Sequence, residues 1–246
     1  MESFSEKNYD VASMVENYRN QFKKHGYSPM ALGWTKGKQD IRFEVLTSFF
    51  NLENKSILDL GCGFGDLNRY IRENITKNFS YTGIDVVPEF ISKAIEMKNV
   101  DDDSKFLLGD FISTNLDEKF DIVLGSGIFN HKFSKGNNDE FIRNALFKAC
   151  DYATEGVAFD FLTNRVGYEL PHVYYSDPKE VLALGLLKSN NIIFRADYFP
   201  FEYAIAVYMD QEFDKHDTTY ISWKNNTSSY RGFKKHIFSG ITSRIK

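Results

Sequence analysis

The chain has 246 residues, 42% hydrophobic and 26% charged, with a formal net charge of −4. That is enough apolar material for one domain with a large core, and the acidic balance speaks against a general nucleic-acid binder. No apolar run approaches a membrane span, and the start, Met1-Glu2-Ser3-Phe4-Ser5-Glu6-Lys7, is polar rather than leader-like.

In chain order, residues 1–50 read as a helical cap segment. Tyr9, Val11, Met14, Val15, Tyr18 and Phe22 recur at helical spacing, with Gly26 as the stop. A loop from Tyr27 to Lys38 precedes a second helix expected over Gln39–Phe50. Residues 51–209 then alternate strand and helix. A buried strand, Ile57–Leu60, runs into Gly61-Cys62-Gly63-Phe64-Gly65 and a helix from Asp66 to Arg72. Ser80–Asp85 is the second strand, Glu89–Met97 a helix, and Phe106–Leu108 a third strand ending in Gly109-Asp110. Phe120–Leu124 forms the fourth strand, Asp139–Tyr152 a helix and Gly156–Phe161 the fifth strand. A helix over Pro178–Lys188 is capped by Ser176 or Asp177. Strands Asn191–Tyr198 and Glu202–Met209 close the pattern through Phe199-Pro200-Phe201, a short join that makes the last strand antiparallel. Such alternation specifies an α/β fold, a parallel sheet with helices on both faces.

The glycine turn carries the most chemistry. Gly61, Gly63 and Gly65 allow backbone angles closed to other residues and let a ligand lie against the main chain, while the next helix directs its free N–H groups there. A dinucleotide-binding turn would need its third glycine at position 66, which is Asp66 and would repel a pyrophosphate. Asp85, about 20 residues past the last glycine, sits at the interval of a ribose-binding acid, and a carboxylate there can accept from both hydroxyls. Each acid taken alone also fits a helix cap or a strand-end turn.

The pattern Asp59-x-Gly61-x-Gly63-x-Gly65, followed by Asp85, Asp110 and the small residues Gly125-Ser126-Gly127, resembles the class I S-adenosylmethionine-dependent methyltransferases. The resemblance is closest to a bacterial small-molecule group over positions 25–209 and includes Gly33-Trp34, Gln39, Arg42-Phe43 and Ser126-Gly127-Ile128-Phe129-Asn130. It implies a Rossmann-like seven-stranded sheet with an N-terminal helical lid, and S-adenosylmethionine as cofactor with no metal. It assigns Asp59, Gly61, Cys62, Gly63 and Gly65 to the cofactor loop, and Asp85 with Val86 to the ribose. Asp110 goes to the adenine amino group, with Phe111 on the ring, and Gly125 and Ser126 lie where cofactor and acceptor meet. Trp34 and Arg42 join the cofactor set, Arg42 through the cofactor carboxylate; a surface ion pair is its other reading.

On the acceptor side, His131 follows the fourth strand and titrates near working pH, unless it is a plain loop histidine. Asp160 at the end of the fifth strand and Tyr174 complete the catalytic candidates; a buried paired acid and ordinary packing are their other readings. Tyr18, Tyr27, Asn130 and Tyr175 are the substrate-side candidates, with core packing open for the tyrosines. Cys62 and Cys150 have neither disulfide nor zinc-ligand character, which places the chain in a reducing cytoplasm. Residues 210–246 form a basic aromatic extension of one globular domain: from Gln211 on, three acids stand against seven Lys/Arg. Expected roles for it are covering the active-site mouth or self-association as a homodimer, with an anionic acceptor such as a phosphorylated metabolite or glycan precursor. RNA or protein methylation, or an inactive cofactor-binding partner subunit, are the alternatives to a small-molecule enzyme.

Overall fold

The computed structural model describes residues 11–33, 38–98, 103–216, 218–221 and 223–224. Trp34, expected at the cofactor, lies outside them. The chain divides into two compact units, Met1–Met209 and Asp210–Lys246.

The first unit is built on one sheet of β1 (Lys55–Leu60), β2 (Phe79–Asp85), β3 (Lys105–Leu108), β4 (Phe120–Gly125), β5 (Ala153–Leu162), β6 (Ile192–Arg195) and β7 (Glu202–Tyr208). Their order is β3-β2-β1-β4-β5-β7-β6. β1 to β5 pair in parallel, and β7 runs antiparallel to both β5 and β6. Strand order reverses between β1 and β4, and in open α/β sheets such a switch point opens a crevice at the carboxyl ends of the strands.

Six helices accompany the sheet among the described residues: α1 (Val11–His25), α2 (Gln39–Thr47), α3 (Asp66–Asn74), α4 (Pro88–Met97), α5 (Asn138–Tyr152) and α6 (Pro178–Leu186). The central strands are apolar on both faces, as a doubly covered parallel sheet requires. Leu58, Val123, Val157 and Phe159 point into one core with Ile142, Leu146 and Ala149 of α5 and Val181 of α6. Their neighbours Ile57, Ile122, Leu124 and Ala158 point into the other, against Phe43 and Leu46 of α2 and Leu67 and Ile71 of α3. No residue of α1 is fully buried. It rests through Tyr18 and Phe22 on a small cluster of Ala31, Phe64, Val87 and Phe90, and Arg19 ties it to Glu89 at 2.7 Å.

Several boundaries differ from expectation. α2 stops at Thr47 rather than Phe50, because Thr47 Oγ1 and Ser48 Oγ donate to the carbonyls of Phe43 and Val45 at 2.6 and 2.7 Å, occupying acceptors a further turn would use. β6 covers only Ile192–Arg195, and the chain bends and turns from Asp197 to Phe201 instead of extending the ladder. α6 ends at Leu186, where the N–H groups of Leu187, Lys188 and Ser189 fold back onto the carbonyls of Ala183 and Gly185. β5 follows α5 directly at Ala153, three residues earlier than read from sequence. No helix among the described residues is long and apolar enough to cross a membrane.

In the second unit, β8 (Phe213–Asp214) and β9 (Thr219–Tyr220) pair antiparallel, and Lys224 Nζ reaches Asp214 Oδ2 at 2.6 Å. The basic aromatic run from Asn225 onward, with the roles expected of it, lies outside the described residues.

Candidate functional site

β1 delivers Asp59 to its carboxyl end, and the chain turns through the glycines into α3. Gly61 and Gly63 take φ of +65° and +55°, left-handed backbone that a Cβ resists. Space is equally tight: a Cβ on Gly61 would lie 2.5 Å from Ile128 Cγ2, and one on Gly63 3.1 Å from Leu32 Cδ2. The turn is pinned to β2, with the N–H groups of Gly61 and Cys62 donating to Ile84 O at 2.8 and 3.1 Å. Asp85 completes the brace: its carboxylate accepts from Gly63 N at 2.9 Å and Val87 N at 2.8 Å. Past β3, Asp110 accepts from Ile112 N at 3.0 Å. Lys148 of α5 holds the carbonyls of Ile112 and Thr114 at 2.9 and 2.6 Å. Three strand ends are thereby locked around one opening.

That opening is a cleft of about 1080 Å³, counting the space open to solvent. Asp59, Gly61, Cys62, Gly63, Asp85, Val86, Asp110, Phe111 and Ser126 all line it, so the structure brings together most of the residues expected at the cofactor, and Tyr18 joins them from α1. Sequence reasoning missed Phe90 of α4 and Phe141 and Ala145 of α5, and read Gln39 of α2 and Ile128 only as part of the resemblance, without a place in the cleft. Val11 and Met14 also line the cleft; their spacing with Tyr18 was legible as a helical stripe, but not the surface it would cover.

The acids of the cleft are electrostatically loaded. Burial, with only partial relief from the N–H donors of Val87, Gly63 and Val86, pushes Asp85 up to about 6. Asp59 is pushed up to about 7, by burial first and then by the charges of Asp85 and Asp66, against the lowering hydrogen bond from Tyr81. Burial and the Asp85 charge raise Tyr18 to about 12. In an unfolded chain both carboxyls ionise near about 4. From there to about 7 the folded state holds protons that the unfolded state has released, so these groups lower stability as pH rises through that window. Asp59→Asn, which can keep the Tyr81 hydrogen bond, should gain stability relative to wild type as pH climbs from about 5 to about 8. Urea midpoints of the two proteins read this directly, and a pH-independent difference would remove the buried charge as its source.

A second group lies at the ends of β4 and β5. Asp160, 2% exposed, accepts from Ser126 Oγ at 2.6 Å through one oxygen and from Gly127 N at 2.7 Å through the other. It does not itself line the cleft; Ser126 and Gly127 do. Burial raises its carboxyl, opposed by the Arg42 charge and by these two donors. Arg42 corrects its expected place at the cofactor: its guanidinium forks onto Glu202, with Nε at 2.6 Å from Oε2 and the second nitrogen on Oε1, and it is absent from the cleft wall. The fork geometry matches a carboxylate, and here the carboxylate is the protein's own.

The remaining candidates are placed as follows. Gly65 and Gly125 serve packing, since added Cβ atoms would strike Phe106 and Phe159 at 2.8 and 2.9 Å. Tyr27 lies outside the cleft, its hydroxyl on Asp66 at 3.2 Å and its ring on Phe64. His131 bridges to Val173 and flanks Tyr18, ring centroids 6.4 Å apart, without lining the cleft. Asn130 O accepts from Tyr174 N at 2.9 Å, joining the loops after β4 and β5. The Tyr174 hydroxyl donates to Asp139, and burial and that carboxylate raise the phenol. Tyr175 Oη accepts from Leu170 N at 3.3 Å within its own loop.

A sheet of this order with a reversed β7, opening at its switch point on a glycine turn, is the architecture of the class I methyltransferases. Residues 51–215 match the methyltransferase domain family; the chain belongs to that family and, with it, to the class I S-adenosylmethionine-dependent methyltransferases. Rv1506c of Mycobacterium tuberculosis, provisionally named a methyltransferase, is 29% identical over 157 residues, 62% of this chain and 92% of that one. Among solved structures, magnesium protoporphyrin IX methyltransferase from Synechocystis PCC 6803 with bound S-adenosylmethionine superposes at TM-score 0.59 and 12% identity. It covers 84% of this chain and 99% of its own. N-methyltransferase NodS from Bradyrhizobium japonicum WM9, bound to S-adenosylhomocysteine, gives TM-score 0.57 at 13% identity over 78% and 98%.

Proposed function

We propose that this methyltransferase transfers the methyl group of S-adenosylmethionine to an oxygen or nitrogen of a small polar, anionic acceptor, a phosphorylated metabolite or glycan precursor being the type. The observation that carries the reading is Asp85, a carboxylate 8% exposed that braces the glycine turn and still faces the cleft. Its remaining lone pairs suit a ribose diol. The backbone of Gly61 to Gly63 offers the close approach a nucleoside needs, Asp110 and Phe111 suit an adenine amino group and ring, and Asp59 suits an ammonium. When bound, the cofactor supplies a methyl carbon activated by a sulfonium. Tyr18, Met14 and Val11 of α1 then exclude water from the opening, which helps fix an in-line approach.

The small-acceptor reading rests on the cleft being mainly aliphatic and aromatic, and on fold neighbours named for small molecules such as magnesium protoporphyrin IX and pyocyanin. The anionic acceptor is supported by the two joined loops after β4 and β5, which expose Lys132, Lys135, Arg165 and His172 against the one exposed acid Glu169 of the second loop. The test is calorimetric titration with S-adenosylmethionine and S-adenosylhomocysteine. It is followed by incubation with methyl-labelled cofactor and three acceptor pools: phosphorylated small molecules, RNA and protein. Binding of both nucleosides with label in the small-molecule pool is expected. Label confined to RNA or protein overturns the acceptor class, and absence of binding by folded protein overturns the whole reading.

A further inference from the structure

The cleft presents one hydroxyl with a buried carboxylate directly behind it. Ser126 lines the opening and its Oγ donates to Asp160 Oδ2 at 2.6 Å, while Asp160 is sealed from solvent at 2% exposure. Asp160 Oδ1 is held by Gly127 N at 2.7 Å, so the carboxylate cannot swing away from the serine. Charged and titratable groups act on it from the other elements as well. Arg42 of α2 favours its ionised form, but that guanidinium is spent on Glu202 of β7. Asp160 also acts on Tyr198 in the turn before β7, whose hydroxyl is buried with no hydrogen-bond partner among the described residues. Glu202 shares Arg42 with Asp160 and also feels the charge of Lys38, so within the protein Asp160 is held by Ser126, Gly127 and the more distant Arg42 charge.

We propose that Ser126 and Asp160 form a proton relay for the acceptor, and that the acceptor atom is therefore a hydroxyl oxygen rather than an amine. This rests on the methyltransferase reading above and deepens it. The acceptor O–H gives its proton to Ser126 Oγ as Ser126 passes its own to Asp160 Oδ2. The freed electron pair on the acceptor oxygen forms the bond to the methyl carbon, and the pair of the breaking carbon–sulfur bond stays on sulfur. A cation and a carboxylate become a neutral thioether and a carboxylic acid, so the buried site loses two opposite charges in one step. A poorly solvated site favours such cancellation, since separated ions are expensive there. An amine that has already released its ammonium proton to water attacks through its own lone pair, whereas a hydroxyl must lose its proton as it attacks, and a phosphate or carboxylate oxygen carries no proton to remove. Ser126 is then the catalytic residue and Asp160 the group that positions it and receives its proton.

Infrared difference titration of the Asp160 carboxyl, referenced against Asp160→Asn, tests the relay without any acceptor. Ser126→Ala should move the ionisation midpoint upward by about one pH unit, the worth of one lost hydrogen bond to a charged group, and Ser126→Thr should restore it. The second readout uses glycerol 3-phosphate and phosphoethanolamine, a hydroxyl and an amine on similar phosphorylated frames. Methylation should favour the hydroxyl compound, with kcat rising as pH passes through the Asp160 midpoint. Ser126→Ala should cut kcat about 100-fold at little change in KM, and Ser126→Thr should recover most of it. An unmoved midpoint in Ser126→Ala, or transfer confined to phosphoethanolamine, overturns the relay. Loss of the parent reading shows separately, as no calorimetric binding of S-adenosylmethionine to wild type.

Discussion

Asp85→Ala weakens binding of S-adenosylmethionine about 100-fold or more, the largest single loss expected from any cleft residue. The wild-type carboxylate offers charged acceptors to a diol, and hydrogen bonds to charged groups contribute roughly 1.5–3 kcal/mol each. Truncation also strips Gly63 N and Val87 N of their partner, so the glycine turn loses its brace together with the ligand contact. Asp85→Asn separates the two effects: it keeps one acceptor for the turn and loses the charge, and should fall between wild type and Ala. pH gives an independent check, because the free carboxyl ionises at about 6. Ligand binding to the ionised form must expel a proton below that value, so wild-type affinity should drop about tenfold from pH 7 to pH 5. Asp85→Asn should show a flatter profile, with only the contribution of Asp59 left. Calorimetry in two buffers of different ionisation enthalpy counts the released proton. A pH-independent affinity with no proton release would show that Asp85 is ionised before the ligand arrives, contrary to the desolvation that its surroundings impose.

The part of this site that was legible in the sequence is the part made of local chain. Asp59, the glycines and the strand-end acids Asp85 and Asp110 each stand at the end of their own strand, and a parallel sheet brings like ends together. Knowing the strands therefore placed the acids. Asp160 was legible in the same way as an acid at a strand end, but its partner was not. Its bond to Ser126 spans 34 positions and exists only because β4 and β5 are neighbours with Gly125 opposite Phe159. Arg42, open in the sequence to a ligand contact or an ion pair, has its partner hidden for a related reason. Nothing near it in sequence marks Glu202, 160 positions away, and a lone arginine ahead of a glycine turn reads naturally as a ligand-binding group. Tyr174 is open in the sequence to catalysis or to packing, and its side chain turns to Asp139 at the start of α5, a partner 35 positions away that its own loop does not mark. Boundaries slipped where side-chain hydroxyls ended α2 and an early turn ended β6, effects that hydrophobic periodicity does not register.

The second large effect belongs to Arg42. Arg42→Ala should destabilise the ligand-free protein by about 3–5 kcal/mol at neutral pH, because removing one partner of a buried ion pair strands the other. The side chains of Arg42 and Glu202 are only 10% and 12% exposed, so solvent cannot take the arginine's place, and Asp160 loses its compensating charge at the same time. Thermal unfolding should show a drop of about 10 °C, given a slope of roughly 2–4 °C per kcal/mol for a domain of this size. The sign of the pH dependence follows from the same charges. Burial already raises Glu202 and Asp160, and Arg42 is what holds them down. Without it both carboxyls take up protons more readily, so the variant's deficit should shrink as pH falls and grow as pH rises. Replacing the pair together, Arg42→Met with Glu202→Leu, should recover most of the loss, since an apolar pair needs no desolvation to be repaid. Asp160 should still ionise less readily in that double variant than in wild type, which links the stability experiment to the proposed relay. If Arg42→Ala instead unfolds within about 2 °C of wild type at every pH, the fork is contributing no more than a surface pair.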